Sequence, residues 1–139
     1  MSHNVLGPMF HGTSETAADG ILKDGARPSW TGALGPGFYF SPEEEVADHY
    51  AREKGEEDAP AILRGEVEVE NPAHFANADE LWQKSNEIGY ATPAEYTSHL
   101  FRKGHDAVIA GRVGILAKHG AFRPQALRAK AGEPWTDLT

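Results

Sequence analysis

The 139-residue chain contains no cysteine, which excludes disulfides, thiolate zinc sites and cysteine nucleophiles. Its seven histidines are scattered, and no two of them stand in an H-E-x-x-H arrangement. Scattered histidines are more often surface or core residues than ligands. The sequence therefore predicts no metal site.

Long apolar runs are also missing. None approaches the roughly 20 residues that cross a membrane, and the N-terminus has no basic-then-apolar signal region. Basic residues are few as well, since 13 Lys and Arg stand against 21 Asp and Glu, a formal net charge of −8. We expect a cytoplasmic protein with no membrane partner and no nonspecific nucleic-acid binding, although a local basic pocket for an anionic ligand fits this composition.

The composition is that of a folded protein, with 40% hydrophobic and 24% charged residues. The length fits one domain over residues 1–139, large enough to bury about two thirds of its unfolded surface. Fifteen glycines and nine prolines predict many turns and short elements.

The first half of the chain alternates short strands with helices. A strand that ends near His11 leads to Thr13 or Ser14 as the cap of a helix, and Gly25 is expected to end that helix. A glycine-rich loop over 26–37 follows.

The next strand carries Tyr39 on one face and its two phenylalanine neighbours on the other. Ser41 and Glu44 form a capping box for a helix over 42–55.

In the second half, valines alternating with glutamates predict a half-exposed strand within 61–72. The sum is an α+β domain around a small antiparallel sheet. The other predicted elements are helices over 77–89 and 92–104, strands over 105–111 and 113–119, a short strand or turn over 121–130, and a tail over 131–139.

Four residues stand out as candidates for chemistry, and each has a structural explanation when taken alone. His11 can end a strand, and Tyr39 can be a packing residue with a hydrogen-bonded hydroxyl. Tyr50 fits the packed face of its helix, and Arg27 fits an exposed surface charge.

Taken together, four segments are similar in order and spacing to ADP-ribosyltransferases of the poly(ADP-ribose) polymerase and diphtheria-toxin branch. The segments are H-G-T at 11–13, G-I-L-K-D-G-A-R at 20–27, G-P-G-F-Y-F-S at 35–41 and V-A-D-H-Y-A at 46–51. Within residues 104–130, G-H-D-A-V-I and F-R-P-Q-A-L-R-A-K resemble segments of small bacterial and phage-associated members. The resemblance implies a single-domain, ADP-ribosyltransferase-like split β-sheet with flanking helices.

The resemblance also implies NAD as co-substrate and a role for each matching residue. The backbone of Gly12 would pair with the nicotinamide carboxamide, while Tyr39 and Tyr50 would clamp the nicotinamide ring. His11 would bond the adenosine-side ribose, and Arg27 would lie near that ribose or a phosphate. The full predicted NAD-binding set is His11, Gly12, Thr13, Arg27, Gly37, Phe38, Tyr39 and Tyr50.

One catalytic position departs from the family. Where the family has a glutamate that bonds the nicotinamide ribose, this sequence has Lys118, or His119 if the register shifts by one. Gln125 is favoured as a neutral replacement, and Asp106 is the alternative. The predicted catalytic set is therefore His11, Tyr39 and Gln125.

Two functions follow from the resemblance. The first is a mono-ADP-ribosyltransferase that releases nicotinamide from NAD and modifies a macromolecular acceptor, expected to be a protein. The second is a module that keeps the cleft without the chemistry and binds NAD, ADP-ribose or a partner. The tyrosine pair and His11 favour the enzyme, whereas the missing acid favours the module.

Overall fold

The computed structural model describes residues 4–29, 32–54 and 58–138, which form an α+β arrangement of two sheets and flanking helices. Trp30 and Thr31 of the predicted loop lie outside the described residues, as does Gly55 at the predicted end of the second helix. None of the helices in these ranges is long and apolar enough to cross a membrane.

The strands and helices are short, as the glycine and proline content predicts. The strands are β1 (Asn4–Ser14), β2 (Phe38–Phe40), β3 (Pro60–Val69), β4 (Pro72–Phe75), β5 (Ala107–Ala110), β6 (Val113–Leu116), β7 (Phe122–Arg128) and β8 (Thr136–Asp137). The helices are α1 (Glu15–Asp24), α2 (Glu44–Lys54), α3 (Ala78–Ile88) and α4 (Pro93–Arg102).

The strands divide into two four-stranded sheets. One has the order β1-β3-β7-β8 and is antiparallel throughout, and the other has the order β2-β6-β5-β4. In the second sheet β4 and β5 run parallel, so the expectation of one small antiparallel sheet is too simple. The four residues of β4 show no alternating pattern in the sequence. The strand forms by pairing with β5, which lies about 35 residues further along the chain.

The main core lies between the two sheets. From one sheet, β3 contributes Leu63, Val67 and Val69, and from the other come the aromatic rings of β2 and Leu116 of β6. The glutamates that alternate with the valines of β3 point away from this core and are only half-buried, as the sequence pattern predicts. Burying each of these aliphatic side chains stabilises the fold by about 2 kcal/mol.

The helix termini follow the predicted chemistry. Ser14 caps α1 by accepting a hydrogen bond from the backbone N–H of Ala17 at 3.2 Å, and Gly25 closes the helix. Helix α2 begins at Glu44, two residues later than predicted. The first helical hydrogen bonds run from the N–H groups of Val46 and Ala47 to the carbonyl of Glu43. The predicted capping box of Ser41 and Glu44 therefore does not begin the helix, and Ser41 Oγ accepts from the N–H of Glu43 at 3.0 Å.

Two segments differ from the sequence expectations. Strand β1 continues to Ser14 instead of ending near His11, because its antiparallel pairing with β3 continues to that residue. The predicted tail contains β8, which follows Trp135 directly. The Cζ atoms of Arg64 and Arg128 lie 4.5 and 4.4 Å from the centroid of the Trp135 ring. These cation–π contacts anchor a segment whose sequence alone reads as unstructured.

Candidate functional site

A cavity of about 580 Å³ opens where β1 and β2 lead into α1 and α2. This volume lies within the range of small-molecule sites. Each strand passes to its helix within a few residues, so two strand ends, two helices and the loop after α1 share one wall. The lining includes every residue of the predicted NAD-binding set, namely His11, Gly12, Thr13, Arg27, Gly37, Phe38, Tyr39 and Tyr50.

Strand β1 presents to this cavity the backbone groups of Gly12, which pair with no other backbone group in the described ranges. It is the edge strand of its sheet, and Phe10 pairs on the edge away from β3, through two hydrogen bonds of 2.8 and 2.9 Å with the backbone of Ser41. Because alternate residues of a strand direct their N–H and C=O groups to the same edge, those of Gly12 also point away from β3. The edge at Gly12 therefore offers one donor and one acceptor, the pair that a planar carboxamide needs.

Gly12 has a second, structural reason to be glycine. A Cβ built there would overlap the carbonyl oxygen of Ala47 and lie 2.8 Å from the backbone nitrogen of Ala51, both on α2. The resemblance implies a backbone contact between Gly12 and a ligand, whereas the close approach in the fold is that of α2. Its missing side chain lets the helix and the strand meet backbone to backbone.

His11 is held in one tautomer by β2. Its Nδ1 lies 2.6 Å from the carbonyl oxygen of Tyr39, and its ring stacks on Phe38 with centroids 4.1 Å apart. A carbonyl oxygen only accepts, so Nδ1 carries the proton and Nε2 remains the acceptor of the neutral ring.

The electrostatic surroundings keep the His11 ring uncharged. Burial lowers the pKa of His11 to about 4, the hydrogen bond to Tyr39 opposes this shift, and the ammonium group of Lys54 adds to it. At neutral pH the ring therefore carries no charge, and its Nε2 is a hydrogen-bond acceptor.

Tyr39 has a hydroxyl that is already engaged. It donates to the carbonyl oxygen of Gly35 at 2.5 Å and accepts from the N–H of Leu34 at 3.1 Å. Burial raises the pKa of this phenol, and the hydrogen bonds from the loop oppose the rise only in part. Tyr39 thus stays protonated and ties the loop to β2, which leaves its ring, and not its hydroxyl, to contact a ligand.

The loop that reaches Tyr39 is closed by a short antiparallel bridge. The N–H of Gly37 donates to the carbonyl of Ser29 at 2.8 Å, and the reverse bond is 2.9 Å. Gly37 has a φ of +150°, and a Cβ there would meet the side chain of Ile115. Glycine at this position is therefore required by the fold.

Helix α2 directs a stripe of residues into the cavity. Val46, Tyr50 and Lys54 are spaced four apart and therefore share a face. Tyr50 is 40% exposed, unlike a core residue, and its hydroxyl lies near enough to Tyr39 to raise the pKa of that phenol slightly. The two tyrosines belong to one cavity, although eleven residues separate them in sequence.

The charges in the lining contrast with those of the whole chain. Cations outnumber carboxylates, with Arg27 and Lys54 against Asp24, although the protein carries a net charge of −8. Neither Arg27 nor Lys54 makes an ion pair within residues 4–29, 32–54 and 58–138. The cavity therefore favours an anionic ligand.

Two of the candidates for the third catalytic position are engaged elsewhere in the fold. Gln125, on β7, does not line the cavity, and its side-chain amide donates to the carboxylate of Glu66. Asp106 is buried and accepts from the N–H groups of Glu70 and Asn71 at 2.8 and 2.9 Å. Its carboxylate joins the end of β3 to the start of β5, which accounts for an acid at that position.

The other two candidates lie in the turn between β6 and β7. Lys118 and His119 are exposed and do not line the cavity. His119 donates from Nε2 to the carbonyl oxygen of Asp24 at 2.7 Å, and the N–H of Gly120 donates to Ala26 at 2.8 Å. This turn therefore fixes the backbone just before Arg27.

Several lining residues are given no role by the sequence resemblance. Lys54 has the clearest signal, because it follows Tyr50 by one helical turn. Ser41 is identified from sequence only as a cap, yet it is buried against the cavity. Ser29 and Asp24 have no pattern that marks them. Within the described ranges, no group of three or more His, Asp or Glu side chains is placed to hold a metal ion.

No protein-family model matches this chain, and no curated protein matches it. The functional interpretation therefore depends on the geometry of the cavity.

Proposed function

We propose that this protein is a mono-ADP-ribosyltransferase with an ADP-ribosyltransferase-like split sheet. It cleaves the bond between nicotinamide and ribose in NAD, releases nicotinamide and transfers ADP-ribose to a macromolecular acceptor, which we expect to be a protein. The observation that carries the proposal is the meeting of all eight residues of the predicted NAD-binding set in one cavity of suitable size. They come from two strands, one helix and the loop between α1 and β2, so their proximity does not follow from sequence spacing.

The free edge at Gly12 supports a position for the nicotinamide. A carboxamide bound there would receive one hydrogen bond from the backbone N–H and donate one to the C=O. The ring would then lie between Tyr39 and Tyr50, whose faces are suited to stacking. Holding the ring flat and the ribose fixed lowers the entropic part of the barrier to bond cleavage.

His11 and Arg27 support the rest of the dinucleotide. Nε2 of neutral His11 can accept from a ribose hydroxyl, and the guanidinium of Arg27 can bind that ribose or a phosphate. Bond cleavage leaves an oxocarbenium-like sugar. Among the described lining residues, Asp24 is the one that carries a carboxylate. Without an acid aimed at the reacting carbon, we expect a rate lower by about 10²–10³ than a fully equipped site would give.

A second candidate function rests on a specific observation. Gln125, Lys118, His119 and Asp106 all lie outside the cavity, so none of them takes the place of the family glutamate from its present position. A module that binds NAD or ADP-ribose without cleaving it would tolerate this arrangement.

The decisive experiment measures nicotinamide released from NAD by the purified protein, with and without cell lysate. The test variant is His11→Ala, and the matched control is His74→Ala, a histidine of β4 outside the cavity. Release that the first variant loses and the second keeps supports the enzyme, and dependence on lysate supports transfer to an acceptor.

The same experiment can overturn the proposal. NAD binding in calorimetry without any release, in either condition, would leave the binding module. Absence of both binding and release would show that NAD is not a ligand of this cavity.

A further inference from the structure

The charged residues in the last two turns of α2 differ in whether they are paired. Asp48 pairs with Arg52 at 2.7 Å, and His49 pairs with Glu53 at 3.1 Å, each with its partner one turn away. Lys54 has no carboxylate partner in the described part of the chain. Its neighbours are therefore accounted for by helix stability, whereas Lys54 is not.

Lys54 also differs from its neighbours in direction. It continues the stripe of Val46 and Tyr50 into the cavity, and its positive charge is felt at the ring of His11. Arg27 enters the same cavity from the segment after α1, and it too lacks a carboxylate partner within the described ranges. Two cations that have no carboxylate partner in the described ranges thus line a mostly apolar cavity of an acidic protein.

We propose that Lys54 and Arg27 together bind the diphosphate group of a nucleotide, with Lys54 a binding residue that the sequence resemblance does not mark. The inference rests on the proposed function in taking a nucleotide as the occupant of the cavity. The two side chains are complementary for this task, since a guanidinium binds two phosphate oxygens in one plane and an ammonium acts as a mobile point charge.

A purely structural role for Lys54 has a different signature. A lysine in the last turn of a helix is stabilised by the helix dipole, wherever its side chain points. Removal of that effect would lower stability slightly and leave ligand binding unchanged. The two roles are separated by comparing a ligand that has a diphosphate with one that lacks it.

The experiment is calorimetric titration with ADP and with adenosine, which differ only in the diphosphate. The test variants are Lys54→Met and Lys54→Arg, and the control is Lys103→Met, which removes a lysine at the C-terminal end of α4, outside the cavity. We expect Lys54→Met to weaken ADP binding about 10- to 100-fold, because it removes a charge-assisted hydrogen bond. Adenosine affinity should stay within about twofold, and Lys54→Arg should restore most of the loss.

Each result decides for or against the inference. Equal ADP affinity in the wild type and Lys54→Met would overturn it, and so would absence of ADP binding to the wild type at millimolar concentration. An equal loss of ADP and adenosine affinity would show a general disturbance of the cavity and would also overturn it. If ADP binding depends on Lys54 while NAD is neither bound nor cleaved, the diphosphate site stands and the proposed transferase function fails.

Discussion

The cavity wall and the turn between β6 and β7 both carry segments that resemble one enzyme family, but only the segments of the wall line the cavity. In the wall, the matched residues of β1, β2 and α2 meet around one space. In the turn and the adjoining β7, the residues aligned with the family's last motif serve other contacts, as the Gln125–Glu66 and His119–Asp24 bonds illustrate. The comparison separates the parts of a site that bind from the part that would supply charge to the reaction.

The difference teaches that segments with equally suggestive sequence patterns can be gathered around a cavity in one part of a fold and engaged in structural contacts in another. His119 and Gly120 hold the backbone of Asp24 and Ala26, so the turn still contributes to the position of Arg27. Its contribution to the site is mechanical, through the backbone that it fixes. Substitutions in the wall should change stability or NAD binding, whereas substitutions in the turn and β7 should change neither NAD affinity nor turnover.

The largest effect is expected at the contact between β1 and α2. Gly12→Ala places a methyl group against the backbone of Ala47 and Ala51, so we expect a loss of about 3 kcal/mol in the free energy of unfolding and loss of ligand binding. Urea denaturation measures the first quantity and calorimetry with NAD the second.

The control for that substitution is Gly20→Ala. Gly20 also lines the cavity, but it lies within α1 and a Cβ there meets nothing within 4 Å. We expect the free energy of unfolding of this variant to exceed that of the wild type by about 0.5–1 kcal/mol, since alanine is the better helix former. If Gly12→Ala were as stable as the wild type, helix and strand would not be in backbone contact.

The next effect concerns pH. Because the folded protein keeps the pKa of His11 near 4, while the unfolded chain has the ordinary value of 6.5, protons bind preferentially to the unfolded chain between these values. The stabilisation from neutral His11 is complete above pH 6.5 and is lost as the pH falls to about 4, by at most about 3 kcal/mol. Urea denaturation at pH 7.5 and 5 should show a smaller pH dependence in His11→Asn than in the wild type. Identical pH dependence in the two proteins would mean that His11 titrates normally in the fold.

A smaller, more selective effect is expected from Tyr50→Ala. Removal of one face of the proposed clamp should weaken NAD binding about 10-fold, since an aromatic stacking contact contributes about 1 kcal/mol beyond burial. Stability should change by less than about 0.5 kcal/mol, because the side chain is 40% exposed.

Trp82→Ala, on α3 outside the cavity, removes another aromatic side chain of similar exposure and should leave NAD affinity unchanged. Should both variants bind NAD like the wild type, Tyr50 would be an ordinary surface residue and the cavity would lose one of its two proposed walls.

The smallest effects are expected on the other side of the comparison. Lys118→Ala and Gln125→Ala should each change NAD affinity and nicotinamide release by less than about twofold, because neither residue lines the cavity. Steady-state kinetics on both variants checks this expectation. A large loss of turnover in Gln125→Ala, with stability retained, would show that β7 rearranges when the ligand binds.

The sequence predicts the local parts of this molecule well. The cap of α1, predicted at Thr13 or Ser14 and found at Ser14, and the alternation of buried and exposed residues in β3 both depend on neighbours in sequence. The same holds for Tyr39, which lies opposite its phenylalanine neighbours on β2. Such features follow from backbone periodicity and capping chemistry, which act within a few residues.

Long-range features were harder to predict. The division into two sheets and the parallel pairing of β4 depend on contacts between distant segments. The engagement of Gln125 by Glu66 joins residues 59 positions apart, and no local pattern signals it. Lys54 is an intermediate case, because its place in the cavity follows from its helical spacing to Tyr50 once that tyrosine is assigned.

The pairing of Phe10 with Ser41 has a kinetic consequence. Two backbone hydrogen bonds, each with a net value of about 1 kcal/mol, join the two strands at the base of the cavity. Opening them is a small local event compared with global unfolding, so these two amide protons are expected to exchange with solvent faster than those at the centre of β3. A ligand that contacts both strands would slow that exchange, and deuterium uptake at these two positions would report occupancy of the cavity without any label on the ligand.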